Sequence, residues 1–303
     1  MGGSGGGGSY PSTPAEIAAA REQALQRLHE QERDLAVNEV LSDTLRRYND
    51  RDVELTRERL ESIQEALGLL AVDFDRLLFG GSVAKHTYID GLSDVDALVV
   101  LNAADVTPDR LVARLRDSLS ERPSSADIVD VSAGRLAVTV RYSDGTEIQL
   151  LPAVERDGHT SIASEDGRAW RRIRPHKFAE KLTQANQANS QQIIPTIKLA
   201  KAALQNLPED YQLSGYHIEA IAVDAFRSYS GRRDRASMLV HLVQHAQQAV
   251  LRPTGDITGQ SVHIDEHLGP ANSALRRNVS AAIADIATQL ATGTPDDYRR
   301  LLQ

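Results

Sequence analysis

The chain of 303 residues contains no cysteine. That absence removes disulfides, thiolate zinc sites and cysteine nucleophiles together, so any metal has to be held by carboxylate or imidazole. No apolar stretch approaches the roughly 20 residues that cross a bilayer, and no positively charged start leads into a hydrophobic signal segment. A cytoplasmic protein with no membrane partner is the expectation. Basic residues are in the minority, 34 Lys and Arg against 42 Asp and Glu, for a net charge of −8. A chain of that sign has no global electrostatic reason to coat nucleic acid, and a DNA duplex is not an expected partner. What remains is an ordinary apolar content, over a length sufficient for one large domain or two packed ones.

The Gly/Ser run at residues 2–9 has the composition of a flexible tether. Residues 1–12 are read as a tether or cloning remnant that adds nothing to a fold. Thr13-Pro14-Ala15-Glu16 reads as a helix start, with Thr13 as cap, Pro14 at the first helical position and Glu16 reaching back. The helix is expected to run to about Tyr48, and a second follows from Val53 to about Leu70. Leu77-Leu78-Phe79 and Ala97-Leu98-Val99-Val100-Leu101 then look like buried strands, separated by a helix over 108–122 from a hairpin. The hairpin alternates Leu136, Val138 and Val140, turns at Asp144-Gly145 and returns through 147–151. Beyond Pro175 the helical period dominates, near 176–189, 193–207, 214–230, 235–251 and 271–291. The fold class expected is α+β, with residues 13–175 as a sheet lobe carrying the N-terminal helices and 176–303 as a helical lobe.

Asp94 and Asp96 lie two apart at the start of an apolar strand, where a period of two puts both carboxylates on one face and suits a hard cation. Gly80-Gly81-Ser82 follows a strand, and glycines there let backbone amides approach phosphate oxygens while Ser82 donates its hydroxyl. Taken singly, the first feature is more often a solvated strand start and the second a plain turn. The order strand, Gly-Gly-Ser, short helix, Ser-Asp-x-Asp, apolar strand favours a joint site for a nucleoside triphosphate and magnesium.

In Gly81, Ser82, Asp94 and Asp96 the chain resembles the DNA polymerase β-like nucleotidyltransferase superfamily. Ile197-Lys198-Leu199-Ala200-Lys201 followed by Leu213-Ser214-Gly215-Tyr216-His217 is similar to the helical lobe of cGAS/DncV-like enzymes and oligoadenylate synthetases. Trp170, Pro175, Asn272, Ser273 and Arg276 add a likeness to the bacterial members called CD-NTases, or SMODS-domain enzymes. The resemblance implies a polymerase β-like sheet lobe packed on an oligoadenylate-synthetase-like helical lobe. It implies Mg2+ or Mn2+ on Asp94 and Asp96, and nucleotide contacts from Gly81, Ser82, Lys201, Ser214 and Tyr216. It also implies synthesis of cyclic or linear oligonucleotide messengers in anti-phage, CBASS-type signalling, with a downstream effector reached through the product.

Structural roles stand beside these. Ser214 is a sound helix cap, and Tyr216 suits core packing beside Ile218 and Ile221 as well as base stacking. Lys198 and Lys201 share a helix face, which is ordinarily a solvated one.

One position departs from the resembled pattern. Where a third acid is expected, Ile148-Gln149-Leu150-Leu151-Pro152-Ala153 carries Gln149, a poorer metal ligand and a poorer base. Glu147 sits two residues earlier on the same strand face and is a possible substitute. An enzyme that tolerates glutamine, an enzyme that uses Glu147, and a nucleotide-binding sensor without turnover are the alternatives, with transfer to an RNA or protein acceptor as a further one. Arg168, Arg171, Arg172, Arg174 and Lys177 read as a charged surface segment before a helix. His241 with His245, and His263 with His267, have a metal-ligand spacing but no further ligands, and read as solvent-exposed. Asp256, Asp265 and Glu266 fall in a polar loop to which no chemistry is assigned.

Overall fold

The computed structural model describes residues 13–49, 53–70, 74–79, 95–102, 106–121, 127–156, 158–164, 167–172, 175–255 and 265–303. The first helix, α1 (Pro14–Asn49), opens on the expected capping box: Thr13 Oγ1 accepts from the Glu16 amide at 3.2 Å while Glu16 Oε2 accepts from the Thr13 amide at 3.0 Å. The second, α2 (Val53–Leu70), follows.

Seven strands form one sheet: β1 (Phe74–Phe79), β2 (Val95–Leu101), β3 (Ile128–Ala133), β4 (Val138–Tyr142), β5 (Glu147–Arg156), β6 (His159–Ala163) and β7 (Trp170–Arg172), in the order β1-β2-β5-β4-β3 with β6 on β5 and β7 on β6. Among the described residues, only β2 and β5 run parallel. The β4–β5 hairpin turns where Asp-Gly requires it: Gly145 has φ +86° and the Asp144 carboxylate accepts from the Thr146 amide at 3.0 Å. The uninterrupted apolar run of β2 reflects burial on both faces. Ala97, Val99 and Leu101 pack with α2, with α3 (Pro108–Glu121) and with Ile148, Leu150 and Val154 of β5, whereas Leu98 and Val100 meet Ala153, Leu151 and Ile162.

The second half is helical: α4 (Pro175–Ala188), α5 (Ile193–Leu204), α6 (Gly215–Ala225), α7 (Arg235–Ala249), α8 (Ala274–Thr292) and α9 (Pro295–Leu301), with short 3-10 turns at Glu209–Tyr211 and Glu266–Leu268. Its core includes Ile197, Leu199, Ile221, Leu242 and Ile283. Residue 175 separates the mixed and helical stretches along the chain, but in space α1 belongs to the helical core. Val37, Leu41 and Leu45 pack there, Tyr48 donates to the Leu302 carbonyl at 2.7 Å, and Arg33 donates to the Gly293 and Ala291 carbonyls at 2.9 and 2.8 Å. Sheet and helices thus have separate cores, with α2 serving the first and α1 the second. Among the described residues, no helix is long and apolar enough to cross a membrane.

Candidate functional site

On the sheet, the parallel register sets Asp96 of β2 directly beside Gln149 of β5, and Gln149 pairs on its other edge with Thr139 of β4. Strand alternation places position 96 on the side of Leu98 and Val100, and Gln149, half-buried, on the side of Leu151 and Ala153. Gly81, Ser82 and Asp94 lie outside the described residues, as does the side chain of Asp96. Glu147 stands opposite Arg141 of β4, whose Nε donates to Glu147 Oε1 at 2.6 Å. That hydrogen bond, with the charge of Glu147, raises the Arg141 guanidinium above its ordinary value. A cation recruiting Glu147 would therefore compete with an ion pair already made.

Among the helices, Lys201 of α5 meets Ser214 and Gly215 at the first turn of α6. Ser214 caps that helix in extended conformation, its Oγ accepting from the His217 amide at 3.1 Å. Lys201, near the end of α5, sends its side chain across Gly215, where an added Cβ would lie 3.2 Å from Nζ and 3.3 Å from Cε. Lys201 Nζ donates to Glu219 Oε1 at 2.9 Å, with the two side chains 9% and 1% exposed. Lys198, on the same face of α5, instead donates to Asn49 Oδ1 at 2.5 Å. Tyr216 is half-buried, its ring tilted 54° against Phe178 at 4.7 Å between centroids. A cation beside the open amides of a helix N-terminus is an arrangement suited to an anion.

Behind this turn is a buried polar network that sequence periodicity does not reveal. His217 Nε2 lies 3.0 Å from Thr254 Oγ1 and 3.5 Å from Asp265 Oδ2. Asp265 accepts from the Thr254 amide at 3.0 Å and from Arg276 at 2.8 Å, and Arg276 also donates to the Val250, Arg252, Gly269 and Asp265 carbonyls. All three charged or titratable side chains are fully buried. Burial pushes the His217 imidazole down to about 4, outweighing the Asp265 carboxylate that acts to raise it. Burial acts to raise Asp265, but the Arg276 and Thr254 hydrogen bonds prevail and hold its carboxyl below the usual range. Asp265 is therefore a structural anchor of the helical core.

The remaining candidates have local partners. His241 Nε2 lies 3.0 Å from the Ala225 carbonyl and His245 Nε2 lies 3.2 Å from Asp224 Oδ2, both rings half-buried rather than fully exposed. Among the described residues, no group of three or more His, Asp or Glu is arranged to hold a metal ion. Arg171 and Arg172 are exposed on the edge strand β7, and the Arg172 guanidinium lies 2.7 Å from His159 Nδ1. Trp170 of the same strand donates to the Val106 carbonyl at 3.0 Å. His263, Arg174 and Asp256 lie outside the described residues.

Residues 37–186 match the model of the Second Messenger Oligonucleotide or Dinucleotide Synthetase domain, SMODS. The fold is similar to the Bradyrhizobium diazoefficiens CD-NTase CdnG, solved with GTP: TM-score 0.64 at 14% identity, over 84% of this chain and 91% of that one. It is likewise similar to Escherichia coli MS115-1 CdnC with ATP, at TM-score 0.64 and 14% identity over 88% and 96% of the two chains. Vibrio cholerae DncV, a cyclic AMP-GMP synthase, matches at TM-score 0.56 and 13% identity over 90% and 85%. No curated protein sequence matches the chain.

Proposed function

Because residues 37–186 belong to the family of Second Messenger Oligonucleotide or Dinucleotide Synthetase domains, we propose that the chain is a nucleotidyltransferase joining nucleoside triphosphates into cyclic or linear oligonucleotide messengers, in anti-phage signalling. The observation that carries this reading is the convergence of Lys201, Ser214 and Gly215 at the first turn of α6. Three independent sources of positive potential meet there: an ammonium, a hydroxyl proton and the helix amides. A phosphate group is a ligand that such donors suit.

In this reading Lys201 and the α6 amides hold the phosphates, Ser214 donates its hydroxyl to a phosphate oxygen, and Tyr216 presents a ring face to a base. Gly81 and Ser82, outside the described residues, are the further phosphate contacts of this reading. Asp96 and Gln149 are register partners on adjacent strands, and a carboxylate with an amide oxygen is a donor chemistry that suits a hard divalent cation. Asp94 and Asp96, with Gln149, would hold magnesium or manganese, whose chemistry is to neutralise charge developing on the phosphate oxygens. The 3′-hydroxyl of one nucleotide attacks the α-phosphorus of another, one P–O bond forming as another breaks and pyrophosphate leaves. Repetition and ring closure give a cyclic product.

A second reading, triphosphate binding without turnover, draws on the neutral amide at position 149 and on the engagement of Glu147 with Arg141. Incubation with all four labelled ribonucleoside triphosphates and magnesium, repeated with manganese, separates the two. Phosphatase-resistant oligonucleotides that vanish in an Asp94→Ala, Asp96→Ala double variant support the synthetase. Triphosphate binding with no product under either metal supports the sensor.

A further inference from the structure

We propose that Glu219 and Gly215 are positioning residues that hold the Lys201 ammonium at the first turn of α6 before any phosphate arrives. The inference rests on the reading of Lys201 as a triphosphate ligand.

A lysine side chain has four rotatable bonds and a strongly hydrated head, and left alone it extends into water. Lys201 does the opposite. Its side chain is 9% exposed and ends 2.9 Å from Glu219 Oε1, itself on a side chain 1% exposed. Both anchors come from one helix: Gly215 and Glu219 are four residues apart on α6, one turn, and so lie on the same face. Gly215 supplies the path. An added Cβ would approach Nζ and Cε to 3.2 and 3.3 Å, closer than ordinary van der Waals contact, so a side chain here makes the ammonium give by a few tenths of an ångström. Gly215 is not among the residues with positive φ, so its backbone conformation does not require glycine. The close approach of Lys201 is what favours it.

A buried ion pair is a weak source of net stability, because desolvation offsets much of the attraction and apolar replacements are often as good. Stability therefore does not account for a Lys–Glu pair at the open end of a helix, whereas preorganisation does. An ammonium has three donors, so its bond to Glu219 does not preclude one to a phosphate oxygen. A cation already held in place loses less side-chain freedom when the ligand binds, an effect worth roughly three- to tenfold in affinity for one ordered side chain. The pair is also electrically balanced, so the cation can wait in a poorly hydrated position until an anion draws on it.

The test measures the dissociation constant of the full chain for ATP with magnesium, with thermal melting in parallel, for Lys201→Ala, Glu219→Ala, Glu219→Gln and Gly215→Ala. Glu219→Ala and Gly215→Ala are expected to weaken ATP roughly three- to tenfold, and to have no further effect when combined with Lys201→Ala. Glu219→Gln keeps a carbonyl oxygen for Nζ and is expected to restore most of the affinity. Gly215→Ala changes no charge and raises helix propensity, so a merely structural role predicts unchanged binding with an equal or higher melting temperature. It carries the test alone if Glu219→Ala fails to fold. If Lys201→Ala weakens ATP while Gly215→Ala and Glu219→Ala do not, the positioning role is overturned and the triphosphate reading stands. Equal weakening by Gly215→Ala in the absence of Lys201 also overturns it. If Lys201→Ala leaves ATP binding unchanged, the reading of the site fails and the inference falls with it.

Discussion

Asp96 of β2 is the register partner of Gln149 of β5, an acid and an amide on adjacent parallel strands. An amide offers an oxygen dipole where a carboxylate offers a full charge, so a metal held by these two positions, as proposed, would be bound more weakly than by two carboxylates. Gln149→Glu is expected to raise turnover at limiting magnesium by about tenfold, equivalent to about 1.4 kcal/mol. Initial rates across a magnesium titration measure this. A glutamate that leaves the rate unchanged removes position 149 from the metal's surroundings.

The neighbouring acid has another occupation. Glu147 is bound to Arg141 at 2.6 Å in a largely exposed ion pair, with side chains 29% and 51% exposed. Such pairs contribute about 0.2–1 kcal/mol, so Glu147→Gln is expected to lower stability by no more than that and to leave turnover within about twofold. A loss of roughly a hundredfold or more, of the size seen when a group acting in the transition state is removed, would instead assign Glu147 to the metal.

Ser214 caps α6 and, in the proposed reading, also meets a phosphate. As the cap of α6 its removal costs about 1 kcal/mol, or roughly 2 °C in melting temperature for a chain of this size. Ser214→Ala is expected to show that loss together with weaker ATP binding, whereas a thermal loss with unchanged binding would leave Ser214 a cap and nothing more. Calorimetry and titration on one preparation give both numbers.

His217 makes stability depend on pH. Its folded value of about 4 lies below the ordinary histidine value of 6.5, so the native state binds fewer protons than the unfolded state between the two. Its contribution is complete above about pH 6.5 and is lost progressively as the pH falls toward 4, an amount on the order of 3 kcal/mol. The depressed Asp265 carboxyl adds a loss of the same sign at lower pH. Melting temperatures from pH 7.5 to 4.5 are expected to fall in the parent chain and to fall less in His217→Gln. Parallel curves would show that His217 does not titrate over this range.

Much of the fold was legible because it depends on near neighbours. The Thr13 capping box, the Asp144-Gly145 turn and the apolar run of β2 each specify their element through contacts within a few residues. Three strands were not legible. β3 buries its residues in no alternating pattern, while β6 and β7 are short and polar, so their identity comes from hydrogen bonds to β4, to β5 and to each other. The terminal helix α9 was legible and went unread: Thr294, Pro295 and Asp297 repeat the capping signature of the first helix, and the structure forms that box.

The division follows from physical range. The sequence by itself determined the long helices, the capped helix starts and the strand buried on both faces, because period and capping are local. Only the tertiary structure decided that α1 joins the helical core, that Asp96 meets Gln149, that Lys201 finds Glu219 while Lys198 finds Asn49, and that Arg276 is buried against Asp265. Each of these joins residues distant in the chain, and no periodicity encodes which of several equivalent charges will end in the interior with a partner.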